Sequence, residues 1–186
     1  KIFPLFKKCK SVYKVCLSNL NCVVHTAATI MNAGWIETTK GKFDFYGDGI
    51  SPSVAKVIEQ VDKERIDVAS KLGIKLESLL DSMKNIYNID KDSLHEALTQ
   101  SSIHTKAFAP NSLKCRYIKE DIPYGLLPIS NLGKKYDVET KVIDSIITLS
   151  NIYSKSLSSS SFEIPNKSII PLLISPFTSL STVTFA

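Results

Sequence analysis

The chain has 186 residues, of which 44% are hydrophobic and 22% charged, and this composition is typical of a soluble globular protein with one sizeable core. No apolar run approaches the ~20 residues that a helix needs to cross a membrane, so the sequence excludes a transmembrane protein. The formal charge of +5 comes from five lysines within the first fourteen residues. Because the rest of the chain is balanced in charge, nucleic-acid binding is not expected.

The amino-terminal segment, residues 1–18, has no initiator methionine and no apolar core long enough for a signal peptide. We therefore expect this segment to enter from a preceding domain of a longer protein. Its apolar positions fit either a short strand or a helix, and the pattern does not decide between them.

The first clear helix is predicted over Asn19–Ala33, with Gly34 as its stop signal. A polar stripe on this helix consists of residues recurring at i, i+4, i+8 and i+11, namely Asn21, His25, Thr29 and Asn32. Burying such groups without partners would cost ~1–3 kcal/mol each. The stripe therefore faces either a polar cleft or hydrogen-bond partners, and a structural histidine is the simpler interpretation of these four residues alone.

The middle of the chain predicts a loop followed by three helices. Residues 38–50 are rich in glycine and indicate a loop or a hairpin-like excursion. Ser51 as N-cap and Pro52 at the first helical position begin a long helix that Gly73 ends. Its residues 62–65 hold charges that fit a structural ion-pair set. Further helices are predicted over residues 76–83 and, from a capping box, at residues 93–96.

The carboxy-terminal third contains a charged segment, one more helix and a tail. Arg116 and Asp121 stand five residues apart before an X-Pro bend, so both could project into one pocket, although a solvated charge run is the simpler interpretation. Residues 142–149 predict a helix. Residues 154–186 hold sixteen Ser, Thr and Pro and predict a poorly ordered or loosely docked tail. Taken together, these patterns predict an all-α domain of five to seven helices over residues 19–153.

Several chemistries have no support in the sequence. The four cysteines form no CxxC pair, and the Cys22–His25 half-site has no second ligand pair at zinc spacing. Reduced cysteines, a cytoplasmic location and the absence of a metal are therefore expected. Gly47 and Gly49 lack the third glycine of a dinucleotide fingerprint, and no phosphate loop is present.

Four segments, in order, resemble the octopine/nopaline (opine) dehydrogenases, which use NAD or NADP. They are Asn21–His25, Met31–Ile36, Phe45–Pro52 with Asp62–Arg65, and Arg116–Pro128. The resemblance covers about residues 2–152 and corresponds to the carboxy-terminal helical domain of that family. The Rossmann half of the family has no counterpart in these residues, and the Ser-rich tail departs from the family pattern.

The resemblance implies an enzyme that joins an amino acid to a 2-oxo acid and reduces the imine with NAD(P)H, or runs the reverse oxidation. By position, His25 is the acid/base, Asp121 its partner, Arg116 a clamp for a substrate carboxylate and Asn21 a substrate-binding residue. The cofactor is held mainly by a Rossmann domain, supplied in cis or in trans, without which the chain is expected to be inactive. Histidine suits this role because it exchanges protons near neutral pH.

Two other hypotheses remain open at this point. The chain fits a non-catalytic helical interaction or dimerisation module that keeps the fold without the chemistry. It also fits a related two-domain dehydrogenase that acts on a 2-oxo acid or a 3-hydroxy acid. A homodimer is compatible with each hypothesis.

Overall fold

The computed structural model describes residues 7–9, 11–101, 107–157 and 182–184. Apart from two three-residue strands, the regular elements within these ranges are helices, which confirms the all-α prediction. Five helices have nine or more residues, and four helices of four to seven residues raise the number above the predicted five to seven. The α-helices are α1 (Val12–Leu17), α2 (Asn21–Met31), α3 (Ala33–Thr39), α4 (Pro52–Lys71), α5 (Leu79–Tyr87), α6 (Leu94–Thr99), α7 (Arg116–Lys119), α8 (Leu127–Lys135) and α9 (Lys141–Leu157).

The centre of the fold is the packing of α2 against α4. The start of α4 is fixed locally, because the Ser51 side chain accepts a hydrogen bond from the Val54 amide and Pro52 occupies the first turn. Gly73 follows its end with a φ of +69°, a backbone conformation that glycine adopts without strain. The predicted boundaries of this helix are confirmed to within one or two residues.

Gly34 does not end the first long helix, so that prediction was wrong. The helix α2 stops at Met31, and Asn32 leaves the helical geometry with φ −110° and ψ 18°. Gly34 then lies within α3, which ends at Lys40 in the left-handed conformation. The Asn32 side chain donates hydrogen bonds to the backbone oxygens of Ala28 and Gly49, both at 2.8 Å. This side chain therefore marks the break and ties it to the following loop.

The apolar positions Val12, Val15 and Leu17, whose pattern allowed a strand or a helix, lie in the helix α1, and a short strand precedes them. The strand β1 (Lys7–Cys9) pairs antiparallel with β2 (Thr182–Thr184), and α1 follows with Leu17 buried. The Leu17 carbonyl accepts a hydrogen bond of 2.7 Å from the Arg65 guanidinium on α4. Residues 11–18 are thus packed onto the helical body, whereas residues 1–6 and 10 lie outside the described residues.

Two other predicted boundaries shift along the chain. The helix α5 begins at Leu79, since Ser78 caps it, rather than at residue 76. The helix α9 continues to Leu157, four residues into the predicted tail. The predictions for the rest of that tail lie outside the described residues, apart from β2. None of the helices in the described ranges is long and apolar enough to cross a membrane.

A charged network is buried under α4. The Arg65 guanidinium donates two hydrogen bonds to Asp62 Oδ1, at 2.9 and 2.7 Å, and one to the Glu77 carbonyl at 2.8 Å. The second Asp62 oxygen accepts the Leu79 amide at 2.7 Å. Because these charges meet one another and fixed backbone groups, the network anchors α1 and the start of α5 to α4.

Candidate active site

The candidate site is centred on His25, on the second turn of α2. Its Nδ1 lies 3.0 Å from Asp121 Oδ2, across 96 residues of sequence. The two side chains are 16% and 18% exposed, so the pair is largely shielded but open to solvent on one side. Because a carboxylate accepts but does not donate hydrogen bonds, Nδ1 carries the proton, and the neutral ring presents Nε2 as an acceptor.

The other ring nitrogen of His25 meets a hydroxyl. Tyr46 Oη lies 3.1 Å from His25 Nε2, and in the neutral tautomer set by Asp121 the hydroxyl donates to that nitrogen. Burial, followed by the nearby ionisable groups of Tyr117, Tyr87 and Asp121, raises the pKa of Tyr46 to about 12. The phenol therefore stays protonated at neutral pH.

Aromatic rings hold the imidazole plane in place. Tyr117 stacks on His25 with ring centroids 4.2 Å apart and an interplanar angle of 29°. Phe45, which is buried, stacks in turn on Tyr117 with centroids 5.2 Å apart. Tyr117 and Phe45 therefore restrict the orientation of the imidazole ring.

Asp121 reaches His25 because the segment that follows it approaches α2 closely. Residues Ile122–Leu126 form one π-helical turn, a local widening of a helix that often occurs at functional sites. At Gly125 an added Cβ would stand 2.3 Å from the Cys22 Cβ, so only glycine fits there. The Gly125–Cys22 contact lies one turn of α2 before His25 and holds the π-helical turn against α2, so that Asp121, directly before this turn, comes within hydrogen-bond distance of His25.

Tyr46 is placed by a loop that is fastened at several points. Its amide donates to Asp44 Oδ1 at 3.2 Å, which forms a turn closed by the side chain of Asp44. The preceding residue, Phe45, donates its amide to the Ala107 carbonyl at 2.7 Å. The same loop receives the Asn32 hydrogen bond at Gly49. The predicted loop over residues 38–50 is confirmed for residues 40–50, whereas residues 38 and 39 belong to α3, and this loop carries a side chain of the site.

The predicted polar stripe of α2 separates into four different environments. His25 lies in the candidate site, and Asn32 tethers the loop. Thr29 is fully buried, and its Oγ1 makes no hydrogen bond among the described residues. Asn21 is exposed at the first turn of α2, where its amide bonds to the Asn19 side chain. The stripe is therefore not one continuous cleft wall.

Arg116 is not drawn into the His25–Asp121 pair. Its side chain is 83% exposed, and its Nε lies 3.1 Å from Glu120 Oε2. An exposed ion pair of this kind contributes little to stability, so the guanidinium is easily released to another anion. The structure thus brings together His25 and Asp121 of the four predicted site residues, and leaves Asn21 and Arg116 at the surface.

Tyr46 and Tyr117 were missed as site residues in the sequence. Both lie within the motif segments. Tyr46 is in Phe45–Pro52, and Tyr117 is in Arg116–Pro128, directly after Arg116. Their membership of these two segments was the available signal. The contacts themselves follow from loop geometry, which no periodicity encodes.

The described residues bear on two kinds of ligand, a metal ion and a dinucleotide. Among the described residues, no three His, Cys, Asp or Glu side chains come together as a metal site. The described residues also form no glycine-rich strand–turn–helix unit that could cradle a dinucleotide pyrophosphate. The described part of the chain therefore lacks the unit that binds a nicotinamide cofactor. Its His–Asp pair fits a proton-transfer role.

The geometry is thus a histidine that a carboxylate orients and aromatic rings enclose, carried on a helical body. The model of the family "NAD/NADP octopine/nopaline dehydrogenase, alpha-helical domain" matches residues 8–154. The chain belongs to this family, as its sequence motifs indicated.

Curated relatives support the same assignment. The chain is 32% identical over 148 residues to an opine dehydrogenase of Arthrobacter sp. (strain 1C), covering 80% of this chain and 41% of that protein. It is 31% identical over 126 residues to a D-nopaline dehydrogenase of Agrobacterium tumefaciens (strain T37), covering 55% of this chain and 30% of that protein. The chain thus spans less than half the length of these relatives.

Solved structures share the fold. An octopine dehydrogenase in complex with NADH and agmatine superposes with a TM-score of 0.65 at 21% identity, over 77% of this chain and 41% of that one. The octopine dehydrogenase complex with NADH and L-arginine gives a TM-score of 0.64 at 20% identity, over 79% of this chain and 41% of the other. The helical fold is therefore that of the carboxy-terminal domain of the family.

Proposed function

We propose that this chain is the substrate-binding and acid/base domain of an opine dehydrogenase-like oxidoreductase. The reaction is the NAD(P)H-dependent reductive condensation of an amino acid with a 2-oxo acid, or the reverse oxidation. The observation that carries the proposal is the His25–Asp121 hydrogen bond of 3.0 Å, formed between two separate family motifs. A proton-exchanging pair at a partly open position is what such chemistry requires.

The pair performs one task in both directions of the reaction. Condensation and imine reduction require a proton at the oxygen or nitrogen next to the reacting carbon, and the reverse oxidation requires that proton to be removed. His25 holds or accepts this proton, while Asp121 fixes the ring orientation and stabilises the imidazolium. Acid/base assistance of this kind contributes ~10²–10⁴ in rate.

Arg116 and Asn21 are proposed as substrate contacts. The planar guanidinium of Arg116 matches a carboxylate with two parallel hydrogen bonds, and both substrates of the proposed reaction carry a carboxylate. Its side chain is 83% exposed, so a substrate can displace Glu120 without breaking any core packing. Asn21 lies one turn before His25 on α2, at the exposed start of the helix.

The hydride donor is proposed to lie outside the described residues. A nicotinamide cofactor, held by a Rossmann domain in cis or in trans, supplies the hydride when bound. The relatives that match this chain extend well beyond the part that it covers, which leaves room in those proteins for such a domain. This domain organisation and a cytoplasmic location are part of the proposal.

The first experiment measures NADH and NADPH oxidation by the enzyme that contains this chain together with its Rossmann domain. Panels of amino acids and 2-oxo acids are supplied singly and in pairs. Turnover that requires both substrates supports the opine reaction. Turnover with the 2-oxo acid alone would favour the simpler dehydrogenase, and folded, cofactor-bound protein without turnover would favour a non-catalytic helical module.

The prediction for His25→Ala is a fall of ~10²–10⁴ in kcat with the fold retained, because the proton-exchanging group is removed. Circular dichroism checks the fold, and initial rates of NAD(P)H oxidation check activity. His95→Ala on α6 is the matched control, since it deletes a histidine outside the site and should keep wild-type rates. Near-normal turnover of His25→Ala would contradict the assignment.

A further inference from the structure

Both ring nitrogens of His25 are already engaged in the structure. Asp121 holds Nδ1 at 3.0 Å, and the Tyr46 hydroxyl holds Nε2 at 3.1 Å. Tyr117 covers one face of the ring at a centroid distance of 4.2 Å. In this arrangement neither imidazole nitrogen is unoccupied, and a proton reaches the ring through one of the groups bonded to it.

We propose that Tyr46 relays the proton between His25 Nε2 and the substrate. The inference rests on the proposed function, because it adds the group through which the acid/base residue acts. Asp121 is the less suitable exit, since its carboxylate is the fixed partner that sets the tautomer. The hydroxyl of Tyr46 is the remaining contact, and a phenol both donates and accepts a hydrogen bond.

The relay balances without a further reactant. In the reductive direction, the imidazolium gives its Nε2 proton to Tyr46 Oη as the original Tyr46 proton passes to the carbonyl oxygen or imine nitrogen of the substrate. In the oxidative direction both transfers reverse, so that the substrate proton goes to Oη and the Tyr46 proton returns to Nε2. The phenol is neutral before and after each passage, and the positive charge moves between His25 and the substrate.

The electrostatics around Tyr46 suit a relay rather than an independent base. Burial and the neighbouring Tyr117, Tyr87 and Asp121 raise the pKa of Tyr46 to about 12. Free phenolate is thus scarce at neutral pH, and the hydroxyl exchanges one proton only as it takes up another. Tyr46 is of intermediate burial, so the residue is not sealed inside the core.

The loop that carries Tyr46 is held firmly enough for this role. The Asp44 side chain accepts the Tyr46 amide at 3.2 Å, and the Ala107 carbonyl accepts the neighbouring amide at 2.7 Å. Asn32 ties the far end of the loop to α2, the helix that carries His25. These hydrogen bonds fix the backbone that carries Tyr46 relative to α2 and so support the placement of Oη beside Nε2.

The hydrogen bond is tested first on the full chain by measuring the ¹⁵N chemical shifts of the histidine rings. The chain has three histidines, so His95 and His104 serve as internal references. Tyr46→Phe keeps the ring and removes the hydroxyl, and we expect the Nε2 resonance of His25 alone to shift. An unchanged His25 resonance would show that the hydrogen bond is absent and would overturn the relay.

Catalysis is then measured on the complete enzyme. We expect Tyr46→Phe to lower kcat by ~10²-fold or more while KM for the amino acid changes little, since proton transfer is slowed and binding is not. Rates in mixtures of H₂O and D₂O should curve with deuterium fraction in the wild type, because two protons move together. In Tyr46→Phe the dependence should become linear.

The matched control is Tyr136→Phe, which removes a phenol hydroxyl at the end of α8, outside the site, and should retain wild-type rates. A Tyr46→Phe enzyme with kcat within about twofold of the wild type, well short of the loss of ~10²-fold that defines proton-transfer help, overturns the relay alone. Absence of turnover in the wild type, by contrast, contradicts the proposed function itself.

Discussion

Asp62 and Asp121 each pair with a basic side chain, and the two pairs differ in the other groups to which they are hydrogen-bonded. Asp62 and Arg65 are 7% and 1% exposed, and their remaining hydrogen bonds go to backbone groups of α1, the α4–α5 connection and α5. His25 and Asp121 are 16% and 18% exposed, and the remaining nitrogen of His25 bonds to a side chain on a loop.

The comparison shows which features of a charged pair favour stability of the fold and which allow proton exchange. Removing one member of the Arg65 network would leave buried charges and backbone groups without their partners, so the fold depends on the network being complete. A partly exposed imidazole with one exchangeable partner can gain and lose a proton while the fold stays the same. Spacing in the sequence does not distinguish the two, since both involve ordinary charged residues on or beside helices.

The largest expected effect is on stability, at Arg65. Arg65→Met leaves the Asp62 carboxylate buried without its cation, and we expect a loss of ~3–5 kcal/mol in the free energy of unfolding. Urea unfolding followed by circular dichroism measures it. The control is Lys63→Met on the same helix, which removes the exposed Lys63–Asp67 pair and should cost less than ~1 kcal/mol. Equal losses in both variants would show that the buried network is not a main source of stability.

A smaller effect is expected at Gly125, where fold and site meet. Gly125→Ala forces a methyl group against Cys22 and should cost ~1–3 kcal/mol. It should also lengthen the His25–Asp121 contact, which the His25 ring ¹⁵N shifts report. Gly34→Ala is the control: nothing lies within 4 Å of an added Cβ there, so on α3 it should stabilise by ~0.5–1 kcal/mol. A fully stable Gly125→Ala variant with unchanged shifts would contradict the close approach of the π-helical turn.

The smallest effect is expected at Cys22, because its thiol titrates only at alkaline pH. This thiol is influenced by the charges of both pairs, through Asp121 and Arg65. Burial, then the nearby Asp121 charge, raise the pKa of Cys22 from 9.0 to about 12, while Arg65 opposes the shift. The folded state then holds this proton more tightly than the unfolded state does. Its contribution to stability is complete below pH 9 and is lost as the pH rises towards 12.

Urea unfolding between pH 9 and 12 measures this dependence. The contribution of Cys22 should lower the free energy of unfolding by at most ~1.4 kcal/mol per pH unit. Cys22→Ala should show a shallower decline, because the titrating thiol is gone. Parallel pH curves for the wild type and the variant would count against a raised pKa at Cys22.

Local chemistry made part of the fold predictable. Ser51, Pro52 and Gly73 set the limits of α4 through contacts within a few residues, so its boundaries followed directly. Ser93 likewise opens α6 by accepting the Glu96 amide. Gly34 misled because a glycine near a helix end resembles a stop signal, whereas the break is made by the Asn32 side chain and its bond to Gly49, seventeen residues away.

The site was predictable only as far as the family resemblance reached. Spacing within α2 singled out His25 but left a structural histidine as the simpler interpretation, and the pairing with Asp121 came from the resemblance. The π-helical turn was not anticipated, although Pro123 lacks the amide that a regular helix needs at that point. Tyr46 depends on turns and on contacts with Ala107, which only the folded chain brings near.

Glu64 has a consequence for the order in which the chain assembles. Its two carboxylate oxygens accept the amides of Val142 and Ile143, each at 3.0 Å, and thus complete the first turn of α9 from another helix. A local cap would let α9 begin to form by itself. Here the cap arrives from 78 residues upstream, so α9 gains its full stability only once α4 is in place. The two helices are therefore expected to form and open as one cooperative unit.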